Sequence, residues 1–332
     1  VSDGPPERPW QRVLDLVRRI RLRGLCRVLA AALLAAAVVG LIAHLLDCAW
    51  LPIVVVATFA PYLLACAVPS GLLFLAGRAW PMAAVSAAVL VVALVLELPL
   101  YIATGGPADG MRLTMLTANL RYGHADAAAL VATVRSKHVD VLTLQELTPD
   151  EVARLQAAGL ERELPAHELD ARPGAAGVGL WSRYSLAAGT RHLGFGFALV
   201  SARLVVGPVP VTVFAAHVQA PVGGGTAAWS AELSRLRDVL HSQAAGPVLV
   251  GGDFNSTEDH APFRHLLSGG YHDAADQAGA GTARTYPADA WFPPLIGIDH
   301  VLTRGARALH VRTVSIPKSD HRGVLAQLVL TP

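Results

Sequence analysis

The stretch VLVGGDFNST, residues 248–257, decides how the rest of the chain is read. Three β-forming apolar residues run into Gly251 and Gly252, and an acid and an amide follow two positions apart. In an extended chain residues i and i+2 point the same way, so Asp253 and Asn255 address one spot. A carboxylate and a carboxamide so placed suit a hydrated divalent cation and a phosphate oxygen. They equally suit the cap of a following helix, because STEDHAPF (256–263) has the composition of a helix start.

Working outward, strand-like and helix-like segments alternate. MRLTMLTANL (111–120), VDVLTLQE (139–146), residues 163–169, GVGLWSR (177–183), FALVSARLVV (197–206) and VPVTVFAAHV (209–218) read as strands, as does the segment that holds Asp253. GIDHVLTR (297–304), ALHVRTVSI (308–316) and VLAQLVL (324–330) read likewise. Residues 126–138, TPDEVARLQAAG (148–159) and about 225–244 read as helices. Helices between strands, with antiparallel hairpins, predict a mixed-sheet layered α/β domain.

Several of these strands end on a polar residue that a strand does not need. Asn119 closes LTAN, Glu146 closes LTLQE and His217 closes FAAH; Asp299–His300 and Asp320–His321 follow in GIDHVL and KSDHRG. In this order the motifs resemble the endonuclease/exonuclease/phosphatase (DNase I-like) superfamily, over residues 111–332. The resemblance implies a four-layer α/β sandwich, two packed mixed sheets flanked by helices, with the strand ends around one metal-centred pocket. It implies that Glu146 is the principal metal ligand, with Asn119 beside it and Asp320 completing the metal and charge environment. Asp253 and Asn255 would hold the attacking water and a phosphate oxygen. His321 would be the general base or electrostatic partner, oriented by Asp299, and His217 would contact the phosphoryl group or protonate the leaving oxygen. Thr285, in RTYP, matches a position near the phosphate and is also an ordinary strand threonine. Asp273 matches a mainly structural motif, and His300 stands where an aromatic is common. The oxygen-rich donor set favours Mg²⁺ or Mn²⁺ over zinc. The expected activity is Mg²⁺-dependent hydrolysis of a phosphoric ester or diphosphate.

Residues 25–104 are almost wholly apolar and break into three stretches, about Leu25–Leu46, Trp50–Leu75 and Pro81–Ile102. Each exceeds the roughly 20 residues that cross a bilayer, which predicts three N-terminal transmembrane helices. Arg8, Arg12, Arg18, Arg19, Arg21, Arg23 and Arg27 precede or open the first stretch, which predicts a cytoplasmic N-terminus. Trp10, Val13, Leu14, Val17 and Ile20 recur at helical spacing among them and suit either an interfacial helix or a solvated charged face. The predicted organisation is a basic N-terminus at 1–24, a membrane anchor at 25–104, a linker at 105–110 and an extracytoplasmic domain at 111–332, held at the plasma membrane. The linker spans under about 30 Å at full extension. All three cysteines, Cys26, Cys48 and Cys66, precede the domain, which excludes a thiolate nucleophile or Cys-type zinc site there.

Residues 111–332 carry 19 Lys and Arg against 19 Asp and Glu, so no broad basic surface is implied and nucleic acid ranks behind other substrates. Apolar segments beside the motifs (AWFPPLIG, 290–297; LGFGFALV, 193–200; VQAPVGGG, 218–225) favour a lipid-linked phosphate, and they also suit core or lid packing. Topology and motifs together resemble the membrane-anchored actinomycete members of the superfamily, the VanJ-like proteins linked to teicoplanin resistance. That likeness implies a cell-envelope role on a polyprenyl diphosphate or another lipid phosphate. The alternatives are an anchored extracellular nuclease or nucleotide phosphatase, and a non-catalytic protein that binds an antibiotic or lipid. The bilayer is the expected partner, and the sequence points to no protein partner.

Overall fold

The computed structural model describes residues 9–106, 109–206, 210–244 and 246–330, without the side chains of residues 9, 11 and 12. Arg8, the Arg12 side chain, the middle of the expected linker (107–108) and residues 331–332 lie outside the described residues. The apolar part folds as α1 (Pro9–Leu45), α2 (Leu51–Thr58), α3 (Ala60–Ala65), α4 (Ala67–Ala76) and α5 (Trp80–Glu97). The chain divides into two compact units, one made of residues up to Leu45 plus Phe59–Leu98, the other of Leu46–Thr58 plus the chain from Pro99.

In the first unit, α1 is one continuous helix that joins the amphipathic stretch at Trp10–Ile20 to the first apolar run. Among the described residues, two helices are long and apolar enough to cross a membrane, Val13–Leu45 and Trp80–Tyr101. The expected third, in the middle, is broken and reaches that length only if its parts are taken together. Proline explains the break. A proline ring clashes with the carbonyl four residues earlier but is tolerated in a first turn. Helix therefore stops before Phe59 (φ −107, ψ 13) and restarts with Pro61 in the first turn of α3. Within this unit the Ser70 hydroxyl donates to Ala30 O at 2.8 Å and bonds Ser86 Oγ at 3.0 Å, tying α4 to α1 and α5. Such hydroxyl bonds between closely packed helices are a common membrane-protein device.

The second unit holds β1 (Arg112–Asn119), α6 (Ala127–Ser136), β2 (Val141–Gln145), α7 (Pro149–Ala157), α8 (Leu160–Glu163), β3 (Ala166–Asp170) and β4 (Val178–Ser182). It continues with β5 (Leu186–Arg191), β6 (Leu199–Leu204), β7 (Val211–His217), the short turn α9 (Pro221–Gly224), α10 (Thr226–His241) and β8 (Val248–Asp253). The rest is α11 (Ala261–Leu266), β9 (His272–Asp273), α12 (Ala274–Ala278), β10 (Asp299–Arg304), β11 (Ala306–Ser315) and β12 (Arg322–Leu330). Two six-stranded mixed sheets result, ordered β11-β12-β1-β2-β4-β3 and β5-β6-β7-β8-β10-β9.

The period-2 pattern of the strands builds the layers. Leu113 and Met115 of β1 join Val141, Leu180, Val213, Leu249 and Val301 between the sheets. Leu116 and Ala118 face the other way, under Leu130 and Val134 of α6. On the second sheet Val248, Val250 and Phe214 turn outward beneath Trp229, Leu233 and Leu240 of α10. Gly251 lets the sheets approach closely, because a Cβ there would strike Thr143 and Met115.

α2 joins this second unit. Val54 is 2% exposed and shares the outer cluster with Leu199, Phe214 and Trp229. His260 Nδ1 accepts from the Thr257 N–H at 2.9 Å, so its Nε2–H donates to Val54 O at 3.0 Å. α2 also packs against α9. The first third of the second apolar stretch, up to Thr58, thus belongs to the domain that follows, and Val54 enters its core. β5 has no counterpart in the strand-like runs of the sequence: LAAGTR lacks alternation, and it forms an exposed, irregular edge strand.

Candidate active site

Register assembles the site. β7 runs parallel to β8 with His217 opposite Asp253, and β10 runs antiparallel to β8 with Asp299 opposite Asp253. In the other sheet β1 and β2 are parallel, with Asn119 opposite Gln145, one residue before Glu146. β12 pairs antiparallel with β1, bringing the residues just before Arg322 to the same end. Four strand ends and two strand starts therefore meet.

On the first sheet, Glu146 leaves β2 at φ 56, a region uncommon for residues other than glycine and concentrated at functional sites. Arg121, Tyr122 and Asn255 share positive φ values nearby in the sequence motifs. The Asn119 amide Nδ2 donates to Glu146 Oε1 at 3.2 Å and to Asp253 Oδ2 at 2.9 Å. The Tyr122 N–H donates to Glu146 Oε2 at 2.6 Å. Burial pushes the Glu146 carboxyl up, against the pull of Asn119 and Tyr122.

On the second sheet, Asp253 is 1% exposed. Its Oδ1 accepts from the Asn255 N–H at 2.9 Å, and its Oδ2 lies 3.7 Å from His217 Nε2 and 3.8 Å from His321 Nδ1. Burial, then the charge of Asp299, raises its pKa. His321 Nδ1–H donates to Asp299 Oδ2 at 2.8 Å. Burial alone would discourage its charge, but Asp299 and Asp253 prevail and push it up to about 10. His217 differs. Its Nδ1–H donates to the Ala175 carbonyl at 3.0 Å, its ring packs 4.5 Å from that of Phe197, and burial lowers its pKa.

Other residues singled out from sequence take quieter places. The Asp320 carboxylate acts electrostatically on His321 and Tyr286. Asn255 does not cap a helix: its Nδ2 donates to Val218 O at 2.9 Å, and α11 starts only at Ala261, behind His260. Thr285 is fully buried, and its hydroxyl accepts from the N–H groups of Ile298 and Asp299, so it reaches the site through the start of β10. His300 bridges Asp273 at 2.6 Å and Ser256 O at 2.8 Å, and Asp273 also caps α12. Sequence reasoning misses Ser319, whose hydroxyl donates to Asn119 O at 2.8 Å and accepts from the His321 N–H at 3.0 Å. It also misses Tyr286, 4.9 Å ring to ring from His321. Ser319 directly precedes the Asp320–His321 pair, yet a serine there carries no distinctive sequence signal.

The residues fit a divalent cation. Two carboxylates converge on one amide nitrogen at Asn119, a place where positive charge is favoured, and Asp299 Oδ1 is buried with no hydrogen-bond partner. Donor atoms of Asp253, Asp299 and His321 also lie within 4.8 Å of one another. A proton shared by His321 and Asp299 already occupies that second cluster.

The model of the Endonuclease/Exonuclease/phosphatase family matches residues 116–321. Among solved structures, humanized D. rerio TDP2 aligns with a TM-score of 0.57 and 16% identity, over 65% of this chain and 98% of that one. D. rerio TDP2 complexed with a single-strand DNA product gives 0.55 and 16%, over 65% and 98%. The endonuclease/exonuclease/phosphatase from Bacteroides vulgatus gives 0.54 and 18%, over 66% and 99%. At such identities the likeness is one of fold. No curated protein matches the chain.

Proposed function

Because this chain belongs to the endonuclease/exonuclease/phosphatase family, we propose that it is a membrane-anchored, extracytoplasmic, metal-dependent phosphoester hydrolase. Its substrate would be a lipid-linked phosphate or diphosphate of the cell envelope. The observation that carries the hydrolase reading is the junction at Asp253, which takes an amide from the Glu146 side and lies between His217 and His321.

Glu146 and Asp320 would hold Mg²⁺, or Mn²⁺ in its place, with Asn119 joining them only through Oδ1, which here accepts from the Arg121 N–H at 2.8 Å; bound there, the ion would neutralise charge on the transferring phosphoryl group. The rest is the work of the side chains. Two histidines whose surroundings push their pKa values apart mark a base and an acid. His217 carries its proton on Nδ1 and is held neutral, so its Nε2 lone pair, with Asp253, suits accepting the proton of an attacking water. His321, protonated and fixed by Asp299, suits placing positive charge on the phosphoryl oxygens and giving a proton to the leaving oxygen. This reverses the roles that the family likeness implied for the two histidines.

The lipid half of the reading rests on the apolar helices and on the even charge balance of the domain. A contribution to glycopeptide (teicoplanin) resistance rests on the likeness in topology and composition to VanJ-like proteins. A second reading, an anchored nuclease, draws on the fold likeness to a protein solved with a single-strand DNA product. The test is hydrolysis by the protein with Mg²⁺, offered an isoprenoid diphosphate, a phospholipid and DNA side by side, with the products of each (phosphate, phosphomonoester or shortened strands) separated and counted. Preference for the isoprenoid diphosphate is expected; preference for DNA overturns the lipid reading.

A further inference from the structure

Two loops beside His217 and Asn255 form a lip that carries no charged residue of its own, although the Arg235 guanidinium of α10 lies over Phe195 at 5.7 Å. Residues 193–200 and 218–231 contain no Asp, Glu, Lys or Arg. Glu232 of α10 clamps these two loops together, accepting from the Gly196 N–H at 2.5 Å and the Gln219 N–H at 2.8 Å. Both loops are fixed to the chemistry: Phe197 packs on His217, and Val218 O holds Asn255. At the outside of the lip Leu193 is 87% and Val222 66% exposed. Single exposed apolar residues are ordinary, but these continue into a larger surface. α9, which carries Val222, packs against α2, and the 46–58 segment exposes Trp50, Leu51 and Val55. That segment is part of the apolar N-terminal run that also supplies the candidate membrane spans.

We propose that this surface, formed by Leu193, Val222, Trp50, Leu51 and Val55, lies in the headgroup and upper acyl region of a lipid bilayer. The catalytic mouth then takes the phosphate of a lipid that stays in its leaflet. Exposed apolar side chains suit that depth and tryptophan favours it, while Arg235 over Phe195 and the exposed Asp47 would stand at the headgroup level. The substrate part of this inference rests on the lipid-phosphate reading given above; the placement of the lip does not.

The experiment uses the full-length chain in phosphatidylcholine/phosphatidylglycerol vesicles. With Cys26, Cys48 and Cys66 replaced by Ser, bimane is attached at Val222→Cys or at Ala244→Cys, an exposed position near the opposite end of β8. Brominated lipid should quench the label at 222 and not at 244; no quenching at 222 overturns the lip. In parallel, Leu193→Asp/Val222→Asp should slow hydrolysis of a polyprenyl diphosphate in the vesicles by about tenfold, the scale of a lost interfacial anchor. Its hydrolysis of water-soluble bis(p-nitrophenyl) phosphate should match the parent. Equal loss on both substrates, or loss on neither, overturns the proposal. If the parent cleaves only the soluble ester while 222 is quenched, the lip stands and the lipid-substrate reading falls.

Discussion

His217 and His321 occupy matching positions on either side of Asp253: both are buried, both stand beside a strand terminus, and both lie just under 4 Å from its Oδ2. His217 gives its Nδ1 proton to a backbone carbonyl and packs on an aromatic ring. His321 gives the same proton to a carboxylate. Burial lowers the first, while two carboxylates lift the second to about 10 against that same burial. With burial much the same for both, the difference lies in the carboxylates around His321, Asp299 above all, which outweigh at that ring the burial that prevails at His217.

The sharpest way to break the contrast is Asp299→Asn. His321 would lose its main support, so its ring should titrate far lower by NMR while His217 does not move. Turnover should fall by about 10³- to 10⁴-fold, the upper scale of positioned acid–base catalysis. An unchanged His321 titration would show that Asp299 is not its support. Glu146→Gln serves as the outside control: activity should drop on the order of 10³-fold, as expected for several kcal/mol of charge stabilisation, with the two imidazoles still far apart. His217→Asn should cost about 10²-fold in kcat and leave the His321 titration in place.

Linkage gives a quieter test in metal-free protein. The stability contributed by His321, whose folded pKa is raised, is fully present below the ordinary value near 6.5 and lost as pH rises through about 10. His217, whose folded pKa is depressed, contributes stability that is present above about 6.5 and lost as pH falls below it. Melting curves of the His321→Gln and His217→Asn proteins across pH should therefore diverge from the parent at opposite ends; divergence at the same end would refute the assignment. The smallest expected effect on catalysis is that of His260→Ala, remote from both rings. It strips the buried Thr257 N–H of its acceptor and frees α2, so it should lower stability by roughly 1–3 kcal/mol, read as a drop in melting temperature with kcat nearly kept.

Much of the site is legible in the amino-acid sequence. Strands with clear alternation, such as those ending at Asn119 and His217, carry their polar residue on the end of an apolar run, and that discontinuity is visible in one dimension. The clamp of Asp253 by Asn119 is not visible there, since it depends on how two sheets stack. Nor is the place of α2 in the catalytic unit: LPIVVVAT is apolar enough for lipid or for a protein core, and only the break at Phe59, the Val54 contacts and the His260 bond decide between them. Glu258 and Asp276, a carboxyl pair in which Asp276 is raised to about 7 by burial and then Asp273, leave no trace in the sequence pattern at all.

β12 lies between β11 and β1, so the last strand described pairs with the first strand of the domain. Ser319, just before it, bonds back to Asn119 across 200 positions of chain. Ribosomes make chains from the N-terminus onward, so Asn119, Glu146, His217 and Asp253 all exist before the strand that seats His321 beside them. Until that strand closes a very long loop, an entropic cost it must meet late, its sheet lacks the strand that flanks β1 and His321 has no place beside Asp253. Assembly of the candidate site is therefore tied to the synthesis of this strand, and a growing polypeptide that lacks it carries most of the site's residues in an unassembled form.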